Sequence, residues 1–171
     1  MKEIEVTSGG EIHTPPPKSE NPTLRILARN GVVGWTGIRA GVLEKLSDMG
    51  ASDKSILKGV RFSSIGTLLH KLVRTGDIEK DIKFIPSLAT VVGVDTVNAS
   101  GQTALHLAIA DEKPEMVKAL IDSGSNPGAE FDFGSTRYSA KAFAEMNNKF
   151  FENENTELIV SYLNPTAAKS E

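Results

Sequence analysis

The 171-residue chain has no cysteine, which removes disulfides, thiolate nucleophiles and cysteine-based zinc sites from consideration and fits a reducing compartment. Aromatic residues make up only 6% of the chain, with a single tryptophan, Trp35. There are three histidines, His13, His70 and His106. No apolar run approaches the ~18 residues of a membrane span, and no basic patch followed by an apolar stretch opens the chain as in a signal peptide. We therefore expect no membrane association, no export signal and a cytoplasmic location. The glycine-rich stretch Gly31–Gly41 lacks the Gly-Lys-Ser/Thr ending of a phosphate loop, and no strand signal precedes it, so nucleotide binding is not expected there.

What is present is ordinary for a chain that buries a core: 39% hydrophobic and 24% charged residues. The net charge of −3 is unevenly spread. Residues 1–22 carry −2, residues 23–74 carry +6 and residues 75–171 carry −7. The basic segment is either drift in surface charge or a face for an acidic partner. It has only Trp35 and Phe62 as aromatics and no reading motif, so nucleic acid is not expected as the partner.

The clearest pattern is Gly101-Gln102-Thr103-Ala104-Leu105-His106-Leu107-Ala108, followed by Val117, Leu120, Ile121 and the turn Asp122-Ser123-Gly124-Ser125-Asn126. A capping threonine, apolar residues at helical spacing, a second apolar helix and a glycine stop describe a helix-turn-helix unit. Thr67 and His70 precede Thr103 and His106 by 36 residues, and Ser139-Ala140-Lys141-Ala142-Phe143-Ala144 follows at 36 again. A constant offset is the trace of a stacked array.

The unit resembles an ankyrin repeat, whose signature is T-P-L-H-x-A with a period near ~33 residues; Ala104 replaces the usual proline. The resemblance implies an all-α solenoid of stacked helix-turn-helix units, with loops or short hairpins as connecting fingers. The expected organisation is a flexible Pro-rich leader at 1–22, a repeat domain at 23–163 and a frayed tail at 164–171. Within the domain we expect units at about 23–62, 63–98, 99–134 and 135–163. In the first unit Thr23 is read as a cap and Val42–Leu46 as the second helix, with Gly31–Gly41 an insert between them. Pro86 is expected to break the second helix of the second unit, and the last unit to hold an insertion in Asn147–Asn155.

His70 and His106 could be read as a metal or general-base pair, but no carboxylate cluster sits with them at ligand spacing. The resemblance implies that Thr67, His70, Thr103, Leu105 and His106 are structural. Asp111, Glu112 and Glu115 read as a solvated helix face, because nothing nearby supplies a pocket to separate their pKa values. We expect no catalytic set, no metal and no cofactor. The resemblance implies a non-enzymatic module, monomeric when unbound, that binds a folded protein through fingers and concave face. An inhibitor, an immunity protein or a small effector, acting in a host cytosol if delivered there, would fit; so would a structural or adaptor subunit of a larger assembly. The expected contact residues are Trp35, Arg39, Arg61, Ile109, Asp111, Lys113, Phe131, Phe133, Arg137 and Tyr138. Trp35 is open to two readings, a hydrophobic lid or a partner anchor. For the finger aromatics, burial and recognition both stand.

Overall fold

The computed structural model describes residues 18–165. The expected leader up to residue 17 and the tail beyond 165 lie outside the described residues. Residues 18–22 of that leader are part of the fold: Ser19 is buried and its hydroxyl donates to Asp53 Oδ1 at 2.7 Å.

The first helix, α1 (Pro22–Ala28), starts on Asn21 rather than Thr23. The Asn21 side chain accepts the Leu24 amide at 3.0 Å, and Pro22 takes the first helical turn, where its missing N–H costs nothing. The chain leaves α1 through Asn30 in the left-handed region (φ 58°), and the Gly31 amide donates back to Ile26 O at 2.8 Å. A Cβ at Gly31 would stand 2.8 Å from that same carbonyl oxygen, so glycine is required by close approach.

The stretch expected to be a glycine-rich insert is instead mostly helical, as α2 (Trp35–Gly41), and Val42–Leu46 falls in a 3-10 turn, Leu43–Asp48, rather than in an α-helix. The second long helix of this region is α3 (Ala51–Gly59). The glycines of this stretch tolerate a helix because tertiary contacts hold it: Ile38 and Val42 are fully buried.

From here the order is regular. α4 (Leu68–Thr75) leads to a single helical turn, α5 (Ile78–Asp81), then a 3-10 turn at Ile82–Phe84 and α6 (Ile85–Val92). Pro86 does not break a helix; it sits in the first turn of α6, where proline is favoured. α7 (Ala104–Ala110) and α8 (Pro114–Asp122) form the next pair. A two-stranded antiparallel hairpin follows, β1 (Glu130–Phe133) with β2 (Thr136–Ser139), in the register Phe131 opposite Tyr138 and Asp132 opposite Arg137. The chain is thus mostly helical but not all-α, and the expected boundary between units at 134 and 135 falls in the hairpin turn. α9 (Ala140–Phe151) and α10 (Glu154–Leu163) complete the fold. The expected insertion at Asn147–Asn155 is taken up largely by a longer α9 rather than a loop.

Packing runs in two columns. α4 lies on α7 and α7 on α9; beside them α3 lies on α6, α6 on α8 and α8 on α10. One continuous core of leucine, isoleucine, valine and alanine side chains fills the space between, with Leu68, Leu72, Leu88, Leu105 and Leu120 fully enclosed. Each such side chain contributes about 1.5–3 kcal/mol by leaving water. Among the described residues, no buried side-chain nitrogen or oxygen lacks a hydrogen-bond partner.

Candidate functional site

The site grows from the start of α7. Thr103 caps the helix in a capping box with His106: the Thr103 amide donates to His106 Nδ1 at 3.0 Å, and the threonine hydroxyl lies 2.9 Å from the same nitrogen. The other ring nitrogen, Nε2, faces Ala129 O at 2.9 Å, so it must carry the proton and donate. Thr67 and His70 repeat the arrangement, with His70 Nε2 on Gln102 O at 2.9 Å. Both imidazoles are neutral: burial lowers their pKa values, outweighing the support of the accepting carbonyls. Each ring therefore braces its own helix start to the connection leading into the next unit, and both nitrogens of each are engaged.

That brace fixes the base of the hairpin. Ala129 O accepts from His106 Nε2 and also from the Ala140 amide at 2.9 Å, closing the excursion from 130 to 139. The Phe131 ring stands 4.4 Å from the His106 ring and 5.0 Å, edge-on, from Phe143 of α9. Phe133 is 5.5 Å from Phe143 yet 53% exposed. Strand alternation puts Phe131, Phe133 and Tyr138 on one face; on the other, Arg137 lies 3.1 Å from Glu130 and 4.0 Å from Asp132. The hairpin thus offers a half-exposed aromatic and a charged face at its tip, on a base tied down at the Ala129 carbonyl.

Of the residues expected to meet a partner, several are placed otherwise. Phe131 is only 3% exposed and belongs to the core. Ile109 is 1% exposed; it lies four residues after Leu105, on the same buried face of α7. Asp111 pairs with Arg74 at 2.9 Å, and Lys113 Nζ donates to Val73 O and Arg74 O at the end of α4. These two therefore tie the turn between α7 and α8 to the end of α4, with cation and carbonyl matched at a helix C-terminus. Phe133, Arg137 and Arg61 are exposed, and Tyr138 is half-buried. Leu105 is fully buried, as are Thr67, Thr103, His70 and His106 to within 1%.

Trp35 and Arg39 converge on a residue the sequence did not single out. Asp81, fully enclosed at the end of α5, accepts from Trp35 Nε1 at 2.8 Å, from the Arg39 guanidinium through two nitrogens (Nη2 at 2.8 Å) and from the Asp77 amide at 2.7 Å. Burial by itself would raise the carboxyl pKa; the Arg39, Trp35 and Asp77 donors outweigh it and hold the group at about 2. Arg39 is therefore not a free surface cation but half of an internal pair joining α2 to α5. Asp81 gave no advance signal because its side-chain partners, Trp35 and Arg39, lie more than 40 positions away.

Among the described residues no group of three or more histidine, aspartate or glutamate side chains is placed to hold a metal ion. No helix is long and apolar enough there to cross a membrane.

The ankyrin repeat family model matches residues 100–130, the segment from the connection before α7 to the first residue of β1. The inactive serine/threonine-protein kinase TEX14 of Bos taurus is 36% identical over 88 residues, which is 52% of this chain and 6% of that protein. The chain accordingly spans a small part of that relative's length. The matched segment coincides with the capping box, the helix pair α7–α8 and the turn behind them, and over those residues the chain is similar to an ankyrin repeat.

Proposed function

We propose that the chain is a non-enzymatic interaction module that binds a folded protein and masks or inhibits it, with the hairpin Glu130–Ser139 as the main contact. Ankyrin repeats are protein-protein interaction modules, and the hairpin springs directly from the matched repeat. The observation that carries the proposal is the combination of a pinned base, at Ala129 O, with a half-exposed Phe133 and an exposed Arg137. A rigid presenting element loses little entropy on association, and aromatic and arginine side chains dominate interface energies. The absence of catalysis is supported by the engagement of both histidine rings on both nitrogens. The carboxylates Asp111 and Glu112 are likewise engaged, by Arg74 and Asn153. A cytoplasmic location and a monomeric free state belong to the same proposal.

The test is affinity capture with the full chain, followed by affinity and melting measurements on the same variants. Phe133→Ala is expected to weaken binding of the captured partner by more than ~2 kcal/mol while lowering stability by less. Unchanged affinity would remove the hairpin from the interface. A second reading, an adaptor subunit within a larger assembly, is favoured by one observation: Phe150 and Phe151, at the end of α9, are 76% and 60% exposed, and Leu158 on α10 is 44% exposed. Size-exclusion chromatography of the isolated chain separates the two. A clean monomer supports the masking module, and self-association supports the subunit.

A further inference from the structure

The C-terminal ends of α1 and α3 and the connection that follows α3 enclose an open groove away from the hairpin. It consists of two adjoining hollows of about 500 and 510 Å³ that share Leu27, Asn30, Val60 and Arg61. Leu27 and Val60 are its buried floor, Ile56 a half-buried flank, and Val32, 98% exposed, its rim. Among the described residues no aspartate or glutamate lines either hollow. The deficit extends along the chain: residues 54–76 contain Lys54, Lys58, Arg61, Lys71 and Arg74 and no acidic residue.

The two cations that line the groove are held in different ways. Arg61 Nη1 donates to Lys58 O at 2.8 Å and Val60 O at 3.0 Å, which covers the carbonyls at the end of α3 and fixes the guanidinium there. Its Nε and Nη2 make no hydrogen bond among the described residues, and that pair is a fork suited to a carboxylate. Lys71 Nζ lies over the Phe62 ring, 5.9 Å from its centroid. Among the described residues neither cation pairs with a carboxylate, whereas Arg39, Arg74 and Arg137 each do.

We infer that this groove binds a short acidic segment of a partner protein, an apolar side chain of the segment resting on Leu27, Ile56 and Val60 and a carboxylate on Arg61 and Lys71. This deepens the reading of the chain as a protein-binding module and rests on it. Charge complementarity selects the acidic occupant, and the apolar floor selects a peptide over a nucleic acid. A nucleic-acid groove needs open aromatic faces for stacking, and the one aromatic here, Phe62, is half-buried with Lys71 over its ring. Each hollow is of the size that takes a drug-sized ligand, which leaves room for a short stretch of peptide.

The experiment pans a phage-displayed random dodecapeptide library on the full chain. Enriched peptides are then measured against wild type, Arg61→Glu, Val32→Asp and Val32→Lys, with oligo(dT) as a second probe. Val32 is almost wholly exposed, so its variants keep the fold even if Arg61→Glu does not. The expected result is enrichment of aspartate or glutamate beside leucine, isoleucine or phenylalanine, with affinity falling at least tenfold in Arg61→Glu and Val32→Asp but not in Val32→Lys. Binding is also expected to weaken between 50 and 500 mM salt, on the order of the screening change. Enriched peptides without acidic residues, peptides indifferent to Arg61→Glu and Val32→Asp, or oligo(dT) binding lost in Arg61→Glu would each overturn the inference. A partner that is captured and responds to Phe133→Ala but not to the groove variants would refute the groove alone; failure to capture any protein would count against the module itself.

Discussion

A single residue carries most weight where no substitute can take over its contacts. Leu105 is fully enclosed in the repeat that the family model matches, so Leu105→Ala should cost ~2–5 kcal/mol through the cavity it leaves. Chemical denaturation measures this, and a variant as stable as wild type would refute the packing described. Asp81 makes a different kind of demand, because four donor nitrogens from three residues face one buried carboxylate. Its pKa is depressed, so its contribution to stability is present above the ordinary value of 3.8 and is lost as pH falls through about 2. Trp35, the sole tryptophan, touches this carboxylate and reports on it. Acid titration followed by tryptophan emission should show a transition between about pH 4 and 2 that moves or vanishes in Asp81→Asn. Asp81→Asn should also melt well below wild type at pH 7, while Asp122→Asn, which breaks only an exposed pair on α8, should stay within about a degree of it.

At the scale of elements the hairpin separates two phenylalanines that look equivalent in sequence. Phe131→Ala should cost ~3–5 kcal/mol, because the ring is buried between His106 and Phe143, and Phe133→Ala appreciably less. Differential scanning calorimetry of the two variants checks the order. Elements whose own residues specify them were legible in advance. The capping threonines Thr67 and Thr103, the pairs α7–α8 and α9–α10, and the offset of 36 between the caps all rest on local chemistry. Elements specified by remote contacts were not. α2 is rich in glycine and becomes helical because Ile38 is buried and Trp35 and Arg39 are held on Asp81. The cap of α1 moved to Asn21 because its amide also reaches Gly41 O at 2.7 Å, a contact twenty positions off. The candidate site was legible to the level of the finger that carries it. Which of its rings is buried was not, since strand pairing fixes the shared face but packing on α9 decides the depth.

For the whole molecule, the two buried imidazoles make stability depend on pH in the neutral range. Their pKa values are lowered by burial, so their contribution is complete above the ordinary value of 6.5 and declines as pH falls below it, where the unfolded chain takes up the protons first. Tm should therefore drop between pH 7.5 and 5.5, and His106→Gln should lower Tm at pH 7.5 while flattening that slope. An unchanged slope would refute the assignment of a neutral, donating ring. The same two rings also have a sense of direction. His70 reaches ahead to the residue before Thr103, and His106 reaches ahead to the residue that opens the hairpin; neither ring reaches back. In the last pair of helices Ala142 stands at the position of the histidines, three after the cap Ser139, and can hold nothing ahead of it. The two contacts overlap like roof tiles, α4 pinning the approach to α7 and α7 pinning the approach to the hairpin. Lifting α4 loosens the eave over α7, whereas lifting α9 leaves both imidazole rungs beneath it in place.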